Sequence, residues 1–556
     1  MKKYMLKRIL FSIFSLIVVV MVVMLLVYTL TNRSAIFQYD ETWTKKANND
    51  QKVYEFMQFE KYGYLTYVNY MNYLKTEYES TPEYEKNPEY INNRNDVQFA
   101  SKYHVRERFL QVKEENPDIK DESKLYEIVS DLVLKDLRAE NEFIGKFCSD
   151  FEAKGYYIKY FAPQKLGNGQ AKAGGNGYLL AIHEKSVFLR VWDYFRGFIS
   201  FETTNQVDDP NLTDRYIRFE KDPYGWFALV GSGTQHKYLL YFDSHFPFIH
   251  QNFIHLNLGT SFTTYRNQEI STVITLSQDK MVSKWVKFPT GHEEETAINM
   301  HSLTYNPTGS LNDYEKQRFT DNYSIYTYNK SGLSMIGNSF VIGIIATIIA
   351  YFLGLPLGIL MALRKDKLLD HLGNVYVIFI MAVPSLAYIF MFAAVGTKLF
   401  KLPYKFANAE IPILAYILPI ISLALPSIGS LMKWMRRYMI DQMNSDYVKF
   451  ARSQGLSERE IYSKHISRNA MIFIVHGIPA SILGALAGAI VTERVYGVPG
   501  VGNLLTTAIN KHDNGVIIAC TVFYTSLSII SLILGDLLLV KYDPRISLSS
   551  SKGGGR

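Results

Sequence analysis

Residues 9 to 30, ILFSIFSLIVVVMVVMLLVYTL, carry no charge over 22 positions, and five more apolar runs follow further along the chain. At about 1.5 Å per residue, a helix of that length crosses the hydrocarbon core of a bilayer. Lys2, Lys3, Lys7 and Arg8 precede the run, and no small-residue cleavage pattern follows it. It therefore reads as a retained membrane helix with its N-terminus inside rather than a cleaved leader. The later runs are Met335–Leu363, Val375–Leu399, Ile411–Leu431, Met471–Thr492 and Val516–Val540, making six spans. Pro356, Pro384, Pro419, Pro426 and Pro479 fall inside them, tolerable where neighbouring helices re-satisfy the freed carbonyls. Gly484, Ala485, Ala487, Gly488 and Ala489 give the fifth run a surface suited to close helix contact or to lining a pore.

Charge sets the orientation. With six spans and an inside N-terminus, the loops 364–374 and 432–470 fall inside, and they hold Arg364, Lys365, Lys367, Lys433, Arg436, Arg437, Lys449, Arg452, Arg459, Lys464 and Arg468. The outer loops hold only Lys398, Lys401, Lys405, Arg494 and Lys511, the asymmetry expected of a membrane protein. The polar stretch of roughly 300 residues from Thr31 to Leu333 then lies outside.

Mean hydropathy is −0.03, an average of very apolar spans and this polar region. The region reads as a folded α+β domain. Leu125, Ile128, Leu132 and Leu134 recur at near-helical spacing within 102–147, 238–262 is strand-like, and 166–178 is a Gly/Asn-rich loop. The net charge of +7 comes with no basic stripe interleaved with aromatics, so nucleic acid is not an expected partner. Cys148 and Cys520 form no disulfide framework, and no CxxC zinc spacing exists. His245, His250 and His255 recur every five residues, which suits neither a helix face nor a strand face. HEEE at 292–295 lacks the second histidine of a zincin, and the GGNG and GSG stretches read as turns.

The segment 446–470, DYVKFARSQGLSEREIYSKHISRNA, is dense in charge between two apolar runs. Tyr447, Phe450, Ala451 and Gln454 define one mostly apolar helix face. Gly455 is placed to end that helix at a left-handed position. Ser457 with Glu460 forms a capping box for a second helix, with Leu456 and Ile461 as its hydrophobic staple. A loop this long between spans is usually functional.

This stretch resembles the cytoplasmic EAA loop of ABC-importer membrane subunits, in the form used by the oligopeptide/dipeptide permease family. The resemblance rests on Asp446, Tyr447, Val448, Ala451, Arg452, Gly455, Leu456, Ser457, His465, Asn469 and Ala470. RRYMID (436–441) looks like the family's approach to that loop. Glu493, Pro499, Gly500 and Gly502 match its E-x-x-F-x-x-P-G-x-G segment, and GDLLLVKYDPRI (535–546) matches its closing D-P-R. Phe473 stands where many members have proline. The long outer region resembles the enlarged form in the Ami/Opp permeases of some Gram-positive bacteria, and GSGTQHKYLLYFDSHFPFIHQNFIHLNLGTSF (231–262), with LNLGTSF at its end, carries that likeness.

The resemblance implies a polytopic α-helical membrane protein with six transmembrane helices, ABC type I importer-like, and a large extracellular α+β domain inserted between helices 1 and 2. The domains are then 1–31, an inner N-terminus with the first helix; 32–333, extracellular; 334–546, the transmembrane core with a coupling hairpin at 446–470; and 547–556, a tail. No G-x-x-x-x-G-K-[ST] motif occurs. The chain is therefore expected to carry no cofactor and no catalytic or metal site, with ATP and Mg bound by partner subunits. Implied partners are a second homologous permease, two ABC ATPases, an extracellular lipid-anchored peptide-binding protein and the oligopeptide itself. Asp446, Tyr447, Ala451, Arg452, Gly455, Leu456, Ser457, Glu458, His465 and Asn469 would form the ATPase-coupling loop, with Ala451 and Gly455 kept small to fit a groove on the ATPase. Glu493, Pro499 and Gly500 are candidate pore or gate residues, with Glu493 alternatively an interfacial carboxylate paired with Arg494 or Lys511. Rival readings are a sensor or mechanotransmitter with a ligand-binding outer domain, a membrane enzyme with its site in 31–333, and a sister permease for dipeptides or nickel chelates.

Overall fold

The computed structural model describes residues 2–165, 170, 172–205, 213–221, 226–234, 238–242, 248–251, 253–265, 268–275, 283–287, 293–297, 333–409 and 411–542. The closing D-P-R, the tail 547–556, His245 and His292 lie outside the described residues. Two compact units are present, one of Val27–Arg196 and one of Met1–Leu26 with Gly197–Arg556.

The Val27–Arg196 unit is built on a three-stranded antiparallel sheet. Its central strand Tyr178–Glu184 pairs with Leu65–Asn69 on one side and Tyr157–Phe161 on the other. Leu179, Leu180, Ala181 and Ile182 are all buried, as a central strand covered on both faces requires. The expected helical stretch 102–147 is three helices, Val105–Glu115, Glu122–Glu140 and Glu142–Ala153. Asn141 ends the second and caps the third, its side chain accepting the Ile144 N–H at 3.1 Å. The buried face of Glu122–Glu140 is Leu125, Val129, Val133 and Leu137, one step round from Ile128 and Leu132, which are only half-buried.

In the second unit, Ile217–Lys221, Phe227–Gly231, Tyr238–Phe242 and Ile249–Gln251 form a four-stranded sheet, and Ile199–Phe201 pairs with Ile254–Leu256. Five helices among the described residues are long and apolar enough to cross a membrane: Leu6–Leu30, Met335–Leu363, Leu414–Met443, Ile478–Tyr496 and Asn514–Tyr542. The run expected to be the third span forms two helices, Leu368–Ala382 and Ser385–Phe400, bent by 111°, a sixth span if the pair is counted as one broken helix. Pro384 causes the break. Its ring disfavours helical backbone at the preceding residue, and Val383 is extended (φ −82°, ψ 129°). Pro356, Pro419 and Pro426 do sit within helices, and Pro479 occupies the first turn of Ile478–Tyr496. The fifth run is likewise divided, Ser467–Val475 stopping just before Ile478–Tyr496.

Met335–Leu363 and Leu414–Met443 form the most extensively packed helix pair. A side chain at Gly354 would meet Leu431 Cβ at 2.9 Å, and one at Gly358 would meet Met435 Cβ at 2.8 Å. These glycines, four residues apart, let the two backbones approach as small-xxx-small motifs do. Of the small residues in the fifth run, Ala485 and Ala489 are buried in a cluster with Ile342, Ala346, Leu418 and Tyr388, whereas nothing lies within 4 Å of a side chain at Gly484.

Candidate functional site

The hairpin begins three residues beyond the long Leu414–Met443 helix. Its first helix, Asp446–Ser453, ends at Gln454, and Gly455 adopts φ +81°. The Gly455 N–H donates to Arg452 O at 3.0 Å and the Leu456 N–H to Ala451 O at 3.3 Å, the paired bonds of a Schellman stop. No other part of the chain lies within 4 Å of a side chain at Gly455, and its left-handed backbone calls for glycine. Ser457 Oγ then accepts the Glu460 N–H at 3.4 Å and donates to Glu460 Oε2 at 2.9 Å. These contacts, with Lys464 beside it, hold the Glu460 carboxyl below its ordinary value. The second helix runs through 458–475 and widens to π winding over Ile461–Ile466, which carries His465, a device common at functional sites.

The hairpin is anchored from inside. Val448, Ala451, Ile461, Ile466 and Ala470 are buried with Met435 and Met439 of the preceding helix and Ala362, while Leu456 packs against the same cluster half-buried. Of the apolar face Tyr447, Phe450, Ala451 and Gln454, Ala451 is buried and Tyr447 half-buried in this cluster beside Val448, whereas Phe450 is 63% exposed. Ala451 is buried in this cluster of its own chain. Arg452 spans the turn with a two-pronged pair to Glu458 (2.8 and 3.3 Å), which raises the guanidinium's pKa. Asp446 is held below its ordinary value by Lys449 at 2.8 Å, and Tyr447 Oη donates to Gln442 Oε1 at 2.8 Å. Asn469 is half-buried.

Just upstream, Arg436 makes a two-pronged pair with the buried Asp370 at 2.6 and 2.7 Å, tying Leu368–Ala382 to the end of the Leu414–Met443 helix. The second carboxylate centre is Glu493, 0% exposed. Ser339 Oγ donates to its Oε1 at 2.7 Å, and the Asn503 N–H donates to Oε2 at 2.9 Å. Ser339 Oγ also accepts the Val501 N–H at 2.9 Å, and Asn338 Nδ2 donates to Pro499 O at 2.9 Å. Glu493 therefore caps the N-terminus of the Val501–Asn510 helix, a favourable place for a carboxylate. A side chain at Gly500 would collide with that carboxylate, and one at Gly502 would lie 2.6 Å from Ile490 Cα. The P-G-x-G segment wraps the carboxylate, which is buried by its own chain. Neither Arg494 nor Lys511 pairs with it; Arg494 reaches Asn503 and Thr507.

A third carboxylate, Asp513, went unread in the sequence. It is 0% exposed between the Val501–Asn510 and Asn514–Tyr542 helices. It accepts Ser261 Oγ at 2.6 Å and the N–H groups of Phe262, Thr263 and Thr264 at 2.9–3.1 Å. LNLGTSF thus ends in a backbone cradle closed on an acid 252 residues away. Gly515 must be small because a side chain there would strike Thr260 O. The polar pair Asn338–Ser339 at the start of an apolar run was the available signal for the Glu493 clamp. Nothing local in sequence marks Asp513, because its partners are set by tertiary fold alone.

Residues 354–548 match the family described as "Binding-protein-dependent transport system inner membrane component". Over 568 aligned residues covering all of both chains, the sequence is 34% identical to "Oligopeptide transport system permease protein AmiC" of Streptococcus pneumoniae. It is 32% identical over 213 residues to "Dipeptide transport system permease protein DppB" of Bacillus subtilis, covering 38% of this chain and 68% of that relative. Over 195 residues it is 31% identical to "Oligopeptide transport system permease protein OppB" of Mycoplasma pneumoniae, 34% of this chain and 50% of that one. The likeness to AmiC runs through the long region between the first and second apolar runs as well as the helical core. With a matching helical core and a full-length relative at this identity, the chain belongs to the oligopeptide-permease family of ABC importer membrane subunits.

Proposed function

We propose that this chain forms one half of the translocation pathway of an ATP-driven importer of oligopeptides and that the hairpin at 446–470 is its coupling element to an ATPase. The observation carrying this reading is the hairpin's construction: a Schellman stop, a serine cap and an inward cluster fasten a rigid knob to the long Leu414–Met443 helix. Seated in a groove on an ATPase, such a knob passes that subunit's closure to the helix as a rigid displacement. Phe450, exposed at the tip, is the residue best placed to fill an apolar groove, with the Arg452–Glu458 pair beside it. Asp446, Tyr447, Gly455, Leu456, Ser457, His465 and Asn469 hold the knob's shape.

In this reading a second homologous permease completes the pathway and two ATPases carry ATP and Mg. A lipid-anchored binding protein delivers peptide on the outer side, where the 32–333 region lies, both termini being cytoplasmic. Glu493, Pro499 and Gly500 brace the outer end of the pathway without contacting cargo. The full-length likeness to AmiC favours oligopeptides over dipeptides or nickel chelates. Proteoliposomes holding the chain with its co-expressed partners test the function directly: labelled oligopeptide should accumulate only with ATP and binding protein. Accumulation independent of ATP, or none with the full set present, would refute it.

A further inference from the structure

The Val187–Gly197 helix, VFLRVWDYFRG, buries Arg190 with Val191 and turns outward three large apolar side chains. Arg190 is 5% exposed, whereas Phe188 and Trp192 are 73% and 65% exposed and Leu189 is also open. The charged Asp193 and Arg196 are exposed beside them, so the outer face is amphipathic, the composition of a helix at a membrane surface.

Arg190 shows where that face lies. Its guanidinium sits 3.4 Å from the ring centroid of Tyr28 and 3.8 Å from that of Tyr64, a cation enclosed by two aromatic faces. Tyr28 belongs to the last turn of the Lys2–Leu30 helix, the helix that carries the first apolar span. That span has a charged boundary at Arg8, which is paired with Asp536 at 2.7 Å. From Arg8 to Tyr28 the helix rises about 30 Å, the thickness of the hydrocarbon core. Tyr28 therefore falls at the opposite edge, the level that tyrosine and tryptophan favour. The apolar surface of the span continues to that edge through the exposed Leu26 and Leu30.

We propose that the Val187–Gly197 helix lies in the headgroup layer of the bilayer where the first span leaves it, with Phe188, Leu189 and Trp192 inserted among the lipids. The helix is fixed at this depth by the Arg190–Tyr28 stack. The surface takes lipid rather than another protein because Arg190 ties it to Tyr28, at the level where the apolar helix leaves the hydrocarbon. The inference is independent of which cargo is carried and rests only on the Leu6–Leu30 helix crossing a membrane.

Nitroxide labels at Phe188→Cys, Leu189→Cys and Trp192→Cys in the full chain test it, with the co-expressed partners reconstituted in phosphatidylglycerol/phosphatidylethanolamine vesicles. Native Cys148 and Cys520 are both buried. Ile17→Cys, mid-span, is the reference for lipid, and Lys113→Cys, on an exposed helix face of the same unit as Trp192, is the reference for water. The expected result is high oxygen and low nickel-chelate accessibility at the three sites, approaching Ile17 and several-fold apart from Lys113. Nickel accessibility equal to that at Lys113 would overturn the proposal by placing the face in water. Protection from both reagents would overturn it by showing a protein partner. An Ile17 label open to nickel would instead overturn the membrane span on which the proposal stands.

Discussion

At the residue scale, three glycines do separable work. Gly455 needs a left-handed backbone, so Gly455→Ala should cost about 1–2 kcal/mol locally. Hydrogen exchange should show it as faster exchange of the Gly455 and Leu456 amides, with the spans unaffected. Gly500 needs space, because its neighbour is a buried carboxylate. Gly500→Ala should lower the melting temperature of the detergent-solubilised chain more than Gly484→Ala, whose surroundings are open. Glu493→Ala should lower it too, by leaving the Asn503 N–H and Ser339 without their acceptor, a loss of about 1–3 kcal/mol. Gly358 needs close helix approach. Ala451→Leu should destabilise the hairpin by about 1–3 kcal/mol through overpacking. The Gly455 stop and Ser457 cap were legible in the sequence, since local backbone chemistry decides both. The inward face of the first hairpin helix was legible only in part: spacing alone cannot choose between the Val448 and Phe450 sides, and the cluster around Met435 and Met439 makes the choice.

At the element scale, proline explains the bend in one apolar run. The run Val375–Leu399 is apolar throughout, yet Pro384 with its extended predecessor turns it through 111°. Proline's effect depends on position: Pro356, Pro419 and Pro426 remain inside helices, so proline counts alone could not have foretold one break among them. The π winding at Ile461–Ile466 was equally invisible, as it leaves no residue signature. The hairpin also has a defined response to acid. Glu460 titrates below its ordinary value in the folded chain, so its contribution is fully present above the usual carboxylate range and is lost as pH falls through the lower folded value. Amide protection of residues 457–464 should therefore stay flat from neutral pH down to the carboxylate range and drop only beneath it. The Asp513 cradle is likewise an element-level device. Asp513→Ala strands three backbone N–H groups and Ser261, and limited proteolysis should then cleave near 257–264 sooner than in the wild-type chain.

At the scale of the whole molecule, the sequence yielded the spans, their charge asymmetry and the hairpin, because each is written in short-range pattern. The boundary between compact units at Arg196/Gly197 was not legible, since it depends on which distant strands and helices pack together. The central claim is that a rigid hairpin, fastened to the Leu414–Met443 helix, links this permease to an ATPase. Purification of the chain in mild detergent with its co-expressed partners tests it most directly, comparing wild type with Phe450→Glu and Gly455→Asp. Phe450 is exposed, so Phe450→Glu should leave the melting temperature unchanged while recovery of the ATPases falls sharply; Gly455→Asp should lose them as well. Full ATPase recovery with both variants, or none with the wild-type chain, would contradict the account.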